Sequence, residues 1–237
     1  MAKTSKKRAA ASAKIDRNSL YRPADAVALV KETASAKFDE TVDAVFVLGI
    51  DPRQADQAVR GTVSLPHGTG KSVRVAAFAE GDAAKAAEEA GADLVGGADL
   101  VAQIDAGSQA LDWDVTIAHP SLMAEVGKLG KALGPRGLMP NPKSGTVTPD
   151  VGKAVSEFKA GKVEYRNDRY GNVHVPIGKA SFTADQLREN LTELVAEMNR
   201  VKPSAAKGRF MRKLTVSSTM GVGVPIDIAH LDDEDDN

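Results

Sequence analysis

The spacing of apolar residues changes period along the chain, and each change predicts an element. Pro23-Ala24-Asp25 opens a helix on which Ala26, Leu29 and Val30 share one face, and residues 41–50 (TVDAVFVLGI) then place apolar side chains as a half-buried strand does. Two strands, Lys162–Arg166 and Asn172–Pro176, flank the turn Asn167-Asp168-Arg169-Tyr170-Gly171, which reads as a hairpin with its glycine where positive φ is tolerated. Thr183-Ala184-Asp185-Gln186 is a capping-box pattern that starts a helix carrying Leu187, Leu191, Leu194, Val195 and Met198 on one stripe. A last strand, Lys213–Ser217, runs into Thr219-Met220-Gly221.

Between these flanks the rhythm is different. Strands at Val73–Ala79, Leu94–Val95 and Val115–Ala118 alternate with helices at Ala83–Ala90, Leu100–Ala106 and Ser121–Leu129, which predicts a small parallel sheet flanked by helices. Gly81-Asp82 and Ala98-Asp99 stand where turns and helix N-caps are wanted, and His119-Pro120 closes the last strand.

Charge divides the chain in the same way. The formal net charge of the 237 residues is −1, which taken alone argues against a nucleic-acid partner. Residues 69–159, however, hold nine Lys and Arg against twelve Asp and Glu, whereas the flanks hold 22 against 14 once the last eleven residues are set aside. One basic domain built from both ends (1–68 with 160–237), interrupted by a neutral-to-acidic one at 69–159, accounts for that asymmetry. The chain has no cysteine and its four histidines are far apart in sequence, so no metal or other cofactor is expected. The absence of a signal-type apolar run or membrane span predicts a soluble, cytoplasmic protein, and nothing in the sequence calls for an obligate homo-oligomer.

Gly68-Thr69-Gly70-Lys71-Ser72 imitates the end of a phosphate-binding loop and raises the alternative of a nucleotide-dependent α/β enzyme. Leu65 stands where that motif needs a glycine, and Ser72 leads into a strand rather than a helix, so a flexible interdomain hinge is the plainer reading. No nucleophile elbow, His–carboxylate grouping or dinucleotide fingerprint is present, and an enzyme is not expected. The loop from Gly134 to Gly145 is rich in Gly and Pro and is either a linker or a binding edge, with Arg136 and Lys143 as its phosphate contacts.

Two flank segments have the composition of an RNA surface. Lys37-Phe38-Asp39-Glu40-Thr41 gathers a cation, an aromatic face, carboxylates and a hydroxyl ahead of a strand, where a ribose 2′-hydroxyl or an unstacked base is read. The competing reading makes Phe38 a core residue and Glu40 a solvated charge. Ser217-Ser218-Thr219-Met220-Gly221-Val222-Gly223 sets hydroxyls and an adaptable methionine beside glycines that allow close backbone approach, or is an ordinary strand exit. Arg200, Lys202, Lys207, Arg209, Arg212 and Lys213 form an acid-free run suited to phosphate attraction.

Taken in order, residues 36–42 (AKFDETV), 61–68 (GTVSLPHG), 91–93 (GAD), 133–143 (LGPRGLMPNPK), 166–168 (RND), 176–182 (PIGKASF) and 219–221 (TMG) resemble the bacterial large-subunit ribosomal proteins of the L-one family over nearly the whole chain. The resemblance implies a split α+β domain that carries the RNA site and an inserted Rossmann-like domain, joined by a hinge at Gly68, Gly70 and Gly161. It implies binding to large-subunit ribosomal RNA, a mobile stalk that helps deacylated tRNA leave the exit site, and repression of the protein's own operon messenger. Residue by residue it carries RNA contact to Lys37, Phe38, Glu40 and Thr41 and to Thr219, Met220 and Gly221, with Arg166 and Ser217 as weaker candidates. The acidic end, 231–237, has no counterpart in the shorter family pattern. It reads as a disordered solubilising tail or as a screen over the basic face.

Overall fold

The computed structural model describes residues 6–16 and 18–231, so the acidic segment 232–237 lies outside the described residues. In chain order the first elements are α1 (Lys6–Ala13), α2 (Pro23–Thr33), β1 (Thr41–Leu48), β2 (Arg60–Ser64), β3 (Val75–Phe78), α3 (Asp82–Glu89), β4 (Leu94–Gly96), α4 (Ala98–Asp105) and β5 (Val115–Ala118). Then follow α5 (Met123–Val126), α6 (Gly130–Leu133), α7 (Val151–Lys159), β6 (Lys162–Arg166), β7 (Asn172–Lys179), α8 (Ala184–Arg200), β8 (Met211–Ser218) and β9 (Val224–Ile226). The chain divides into two compact units, residues 1–70 with 165–237 and residues 71–164.

The first unit is an antiparallel sheet of order β7-β1-β8-β9 with α2 and α8 packed together on it. Alternate residues of β1 are buried, among them Val42, Ala44 and Phe46, so one face belongs to the helices and the other is open. The capping box forms as its sequence predicts, Thr183 Oγ1 accepting from Gln186 N and Gln186 Oε1 from Thr183 N, and it fixes the start of α8. All five stripe residues of α8 are buried. Each such Leu contributes on the order of 1.5–3 kcal/mol by leaving water.

The second unit holds a parallel sheet of order β4-β3-β5. Val75, Ala77 and Ala79 face a cluster with Val151, Val155 and Phe158 of α7, and Ala76 and Phe78 face another with Leu100, Ile104 and Trp113. A strand covered on both faces has no polar alternation, which is why residues 75–79 (VAAFA) are apolar throughout.

Three expectations change. The hairpin does not form as a strand pair: β6 lies beside β2, and β7 beside β1. The turn itself is made, with Asp168 accepting from Tyr170 N, Asn172 N and Asn172 Nδ2, but Asn167 N donates to Val59 O and its Oδ1 accepts from Val59 N. Only the bridge Asn167–Val173 remains, because β7 must set Val173, Val175 and Ile177 over the core beside β1, while β6 has a single buried residue, Tyr165. The helix expected at 121–129 is a run from Pro120 to Leu133 that alternates between 3-10 and α turns, since Gly127 and Gly130 weaken a regular helix. At Gly81-Asp82 the helix starts as expected with Gly81 as its N-cap, but at Ala98-Asp99 the N-cap is one residue earlier, at Gly97, whose N–H donates to Asp99 Oδ1. Helices α1 and α7 and strands β2 and β9 have no counterpart in the pattern reading.

Candidate functional site

The two flank segments singled out by composition are 178 residues apart in sequence and meet around one buried carboxylate. Glu40 is 1% exposed. Its Oε1 accepts from Ser35 N (2.8 Å) and Ala36 N (2.7 Å), and its Oε2 from Ser218 Oγ (2.7 Å) and Met220 N (2.8 Å). Burial acts to raise the pKa of this carboxyl, yet the bonds from Ala36, Met220, Ser218 and Ser35 outweigh it, and Glu40 lies below the usual carboxylate range. A second lacing runs beside it: Thr41 N donates to Thr219 Oγ1 (3.0 Å), and Thr219 N donates to Thr41 O (3.0 Å). Asp39 closes the edge by accepting from Ser181 N (3.0 Å) and Ser181 Oγ (2.8 Å).

This scaffold turns neighbouring side chains outward. Phe38 is 57% exposed and Met220 61%, with Lys37 and Thr219 also exposed. The reading that made Phe38 core and Glu40 a solvated charge is therefore inverted on both counts. Glu40, carried over as a contact residue, has both oxygens filled by protein donors. Gly221 is required by close approach: a Cβ there would lie 2.4 Å from Ser218 Oγ.

The open face of the sheet sets Lys179 and Asp43, which the sequence reading missed, beside the expected Ser217. Between Val42–Gly178 and Asp43–Pro176 strand β7 has an extra residue, Ile177, so that Lys179 sits opposite Thr41. Strict alternation would point Lys179 at the core with Val173, Val175 and Ile177. The bulge re-aims it, and Lys179 Nζ donates to Thr41 Oγ1 (2.8 Å). Ser217 is opposite Asp43 on the same side. Burial pushes the Asp43 carboxyl above its ordinary value, partly offset by the charges of His174 and Lys179.

The model of the ribosomal protein L1p/L10e family matches residues 30–222, which includes both segments of this site. The chain belongs to that family. Among its relatives are the large ribosomal subunit proteins uL1 of Streptomyces avermitilis (58% identical over 227 residues, 96% of this chain and 93% of the relative) and Cutibacterium acnes (59% over 225 residues, 95% and 96%). That of Methylobacillus flagellatus is 58% identical over 231 residues, 98% of this chain and the whole of the relative. The L1p/L10e family is one of ribosomal proteins rather than of enzymes.

Other expected site residues of this L1p/L10e-family chain fall elsewhere. Arg166 is exposed at the end of β6, and the adjacent Asn167 bridges Val173, whose β1 partner is Phe46. That is the end of the sheet away from Thr41, roughly 17 Å along β1 at the usual strand rise. In the second unit Arg136 is exposed and its Nη1 donates to Leu111 O (3.1 Å), and Lys143 is exposed beside Asn141. Gly68, Gly70 and Gly161 have φ of 62°, 68° and 115°. No helix follows Gly68–Ser72: the chain passes directly into β3, so this loop lacks the amide array that holds a phosphate. Among the described residues no group of His, Asp and Glu could hold a metal ion, and no helix is long and apolar enough to cross a membrane.

Proposed function

We propose that this chain is a structural component of the large ribosomal subunit that binds large-subunit ribosomal RNA directly through Lys37, Phe38 and Thr41 on one side and Thr219, Met220 and Gly221 on the other. The observation that carries the reading is the Glu40 clamp. It consumes a buried charge to bring together two remote segments whose outward groups are a cation, an aromatic ring, hydroxyls and a thioether, the set that stacks on bases and reads riboses. The uL1 proteins of the relatives are named for the same subunit.

Within that reading the protein forms the mobile stalk, Gly68, Gly70 and Gly161 near the two crossings between units serve as hinge positions, and Arg136 and Lys143 add a weaker RNA contact. Release of deacylated tRNA from the exit site needs a second RNA contact. The far end of the sheet supports one: Tyr170 is 72% exposed with the Arg169 guanidinium 5.4 Å from its ring, and Arg166 is close by in sequence. Repression of the protein's own operon messenger follows if that messenger presents the same RNA shape to the Phe38–Met220 surface.

The test is binding to large-subunit ribosomal RNA and to a size-matched unrelated RNA across a salt series. A preference for the ribosomal RNA that survives at high salt and falls about ten- to a hundredfold in Phe38→Ala and Met220→Ala supports the reading. Weak, equally salt-sensitive binding to both RNAs overturns it.

A further inference from the structure

Helix α1 has no counterpart in the sequence pattern and no part in the surface described above. Helix α1 runs from Lys6 to Ala13 with Lys6, Lys7 and Arg8 in its exposed first turn and no acid among them. It is held against the first unit by burial of Ala11 and Ile15 and by the ion pair of Lys14 with Glu32 of α2 (2.6 Å). Just after the helix, Asp16 N donates to Tyr21 Oη (2.9 Å), which fixes the return of the chain. Lys7 Nζ donates to Ser35 O (3.1 Å), and Ser35 N is one of the donors to Glu40. Lys7 of the cationic turn therefore meets the chain at Ser35, two residues before Lys37 and three before Phe38.

We propose that α1 is a phosphate-binding arm of the same RNA surface, in which Lys6, Lys7 and Arg8 contact the backbone of the strand whose bases meet Phe38 and Met220. The inference rests on the RNA-binding reading and adds to it a division of labour. The loop pair recognises bases and riboses, and α1 supplies sequence-independent attraction that disappears in salt.

The experiment compares the full chain with Lys6→Gln/Lys7→Gln/Arg8→Gln in binding to large-subunit ribosomal RNA from low to high salt. Taking the B-form DNA value, each phosphate contact contributes about 0.9 to the slope of log affinity against log salt, so the triple variant is expected to lose about 2.7 of slope while keeping its preference over unrelated RNA. The variant Lys6→Gln/Arg8→Gln keeps the Lys7 bond to Ser35 O and is expected to lose about 1.8, which separates lost charge from a displaced loop. Charge-preserving Lys6→Arg/Lys7→Arg/Arg8→Lys should retain the full slope. An unchanged slope in both neutralised variants, with Phe38→Ala still weakening binding, overturns the α1 proposal and leaves the RNA reading standing. Absence of any ribosomal preference in the unsubstituted chain overturns both.

Discussion

Replacing Glu40 by Gln changes one atom type at the centre of the site and has a consequence that can be worked through bond by bond. The carboxylate accepts four hydrogen bonds, two on each oxygen, whereas an amide has one accepting oxygen and one NH2 group that only donates. If the amide oxygen takes the Oε2 place, its NH2 faces the N–H groups of Ser35 and Ala36, and two buried donors are orphaned. If it takes the Oε1 place, Ser218 Oγ can rotate to accept and only Met220 N is left facing a donor. The second arrangement is the cheaper, and it costs about 1–3 kcal/mol for the orphaned N–H plus the loss of charge assistance in the remaining bonds, together roughly 2–4 kcal/mol. Urea unfolding at neutral pH reads this as a lowered midpoint with an unchanged slope.

The same substitution should act on function and on pH dependence. Freed from Glu40, the Met220 amide exchanges hydrogen faster and RNA affinity drops, although residue 40 is buried and touches no ligand. Because the folded carboxyl lies below its unfolded value, its contribution is present above the unfolded pKa, near 4.5, and is lost as pH falls through the folded value. The wild-type chain should therefore lose stability on acidification below about pH 4.5 through this group, and Glu40→Gln should lack that part of the acid limb. A variant as stable as wild type, with the same acid limb and the same Met220 exchange, would refute the reasoning.

Three further outcomes follow from the same geometry. Phe38→Ala and Met220→Ala remove side chains that are mostly in water, so thermal unfolding should move little while RNA affinity falls by about 1–3 kcal/mol, and the reverse pattern would make them core residues. Gly221→Ala drives a methyl to 2.4 Å from Ser218 Oγ and should weaken both stability, by about 1–3 kcal/mol in urea, and RNA binding, by disturbing the Glu40 bonds. Asn190→Leu leaves Gly68 O, Ile177 O and His67 N without the buried amide that bonds all three, and a loss of about 2–4 kcal/mol in the unfolding free energy is expected.

Local patterns carried much of this protein. The capping box at Thr183 and the stripe from Leu187 to Met198 were legible because a helix start and a helix face are encoded within a few residues of one another. The strand at Val73–Ala79 was legible as part of a helix-flanked parallel sheet for the same reason. The two site segments were legible as compositions, since a cation beside an aromatic, or hydroxyls beside glycine, are local facts. What local pattern could not supply was partnership over distance. Whether Phe38 or Glu40 turned inward depended on donors at Ser218 and Met220, far along the chain, that reward burial of the carboxylate. The chain at the end of β6 is tied to Val59 beside β2 through both the backbone and the side chain of Asn167 rather than to β7, and Lys179 reached the open face through a bulge that breaks period-two alternation. In each case the deciding energy is a contact between residues remote in sequence, formed only when the sheet closes.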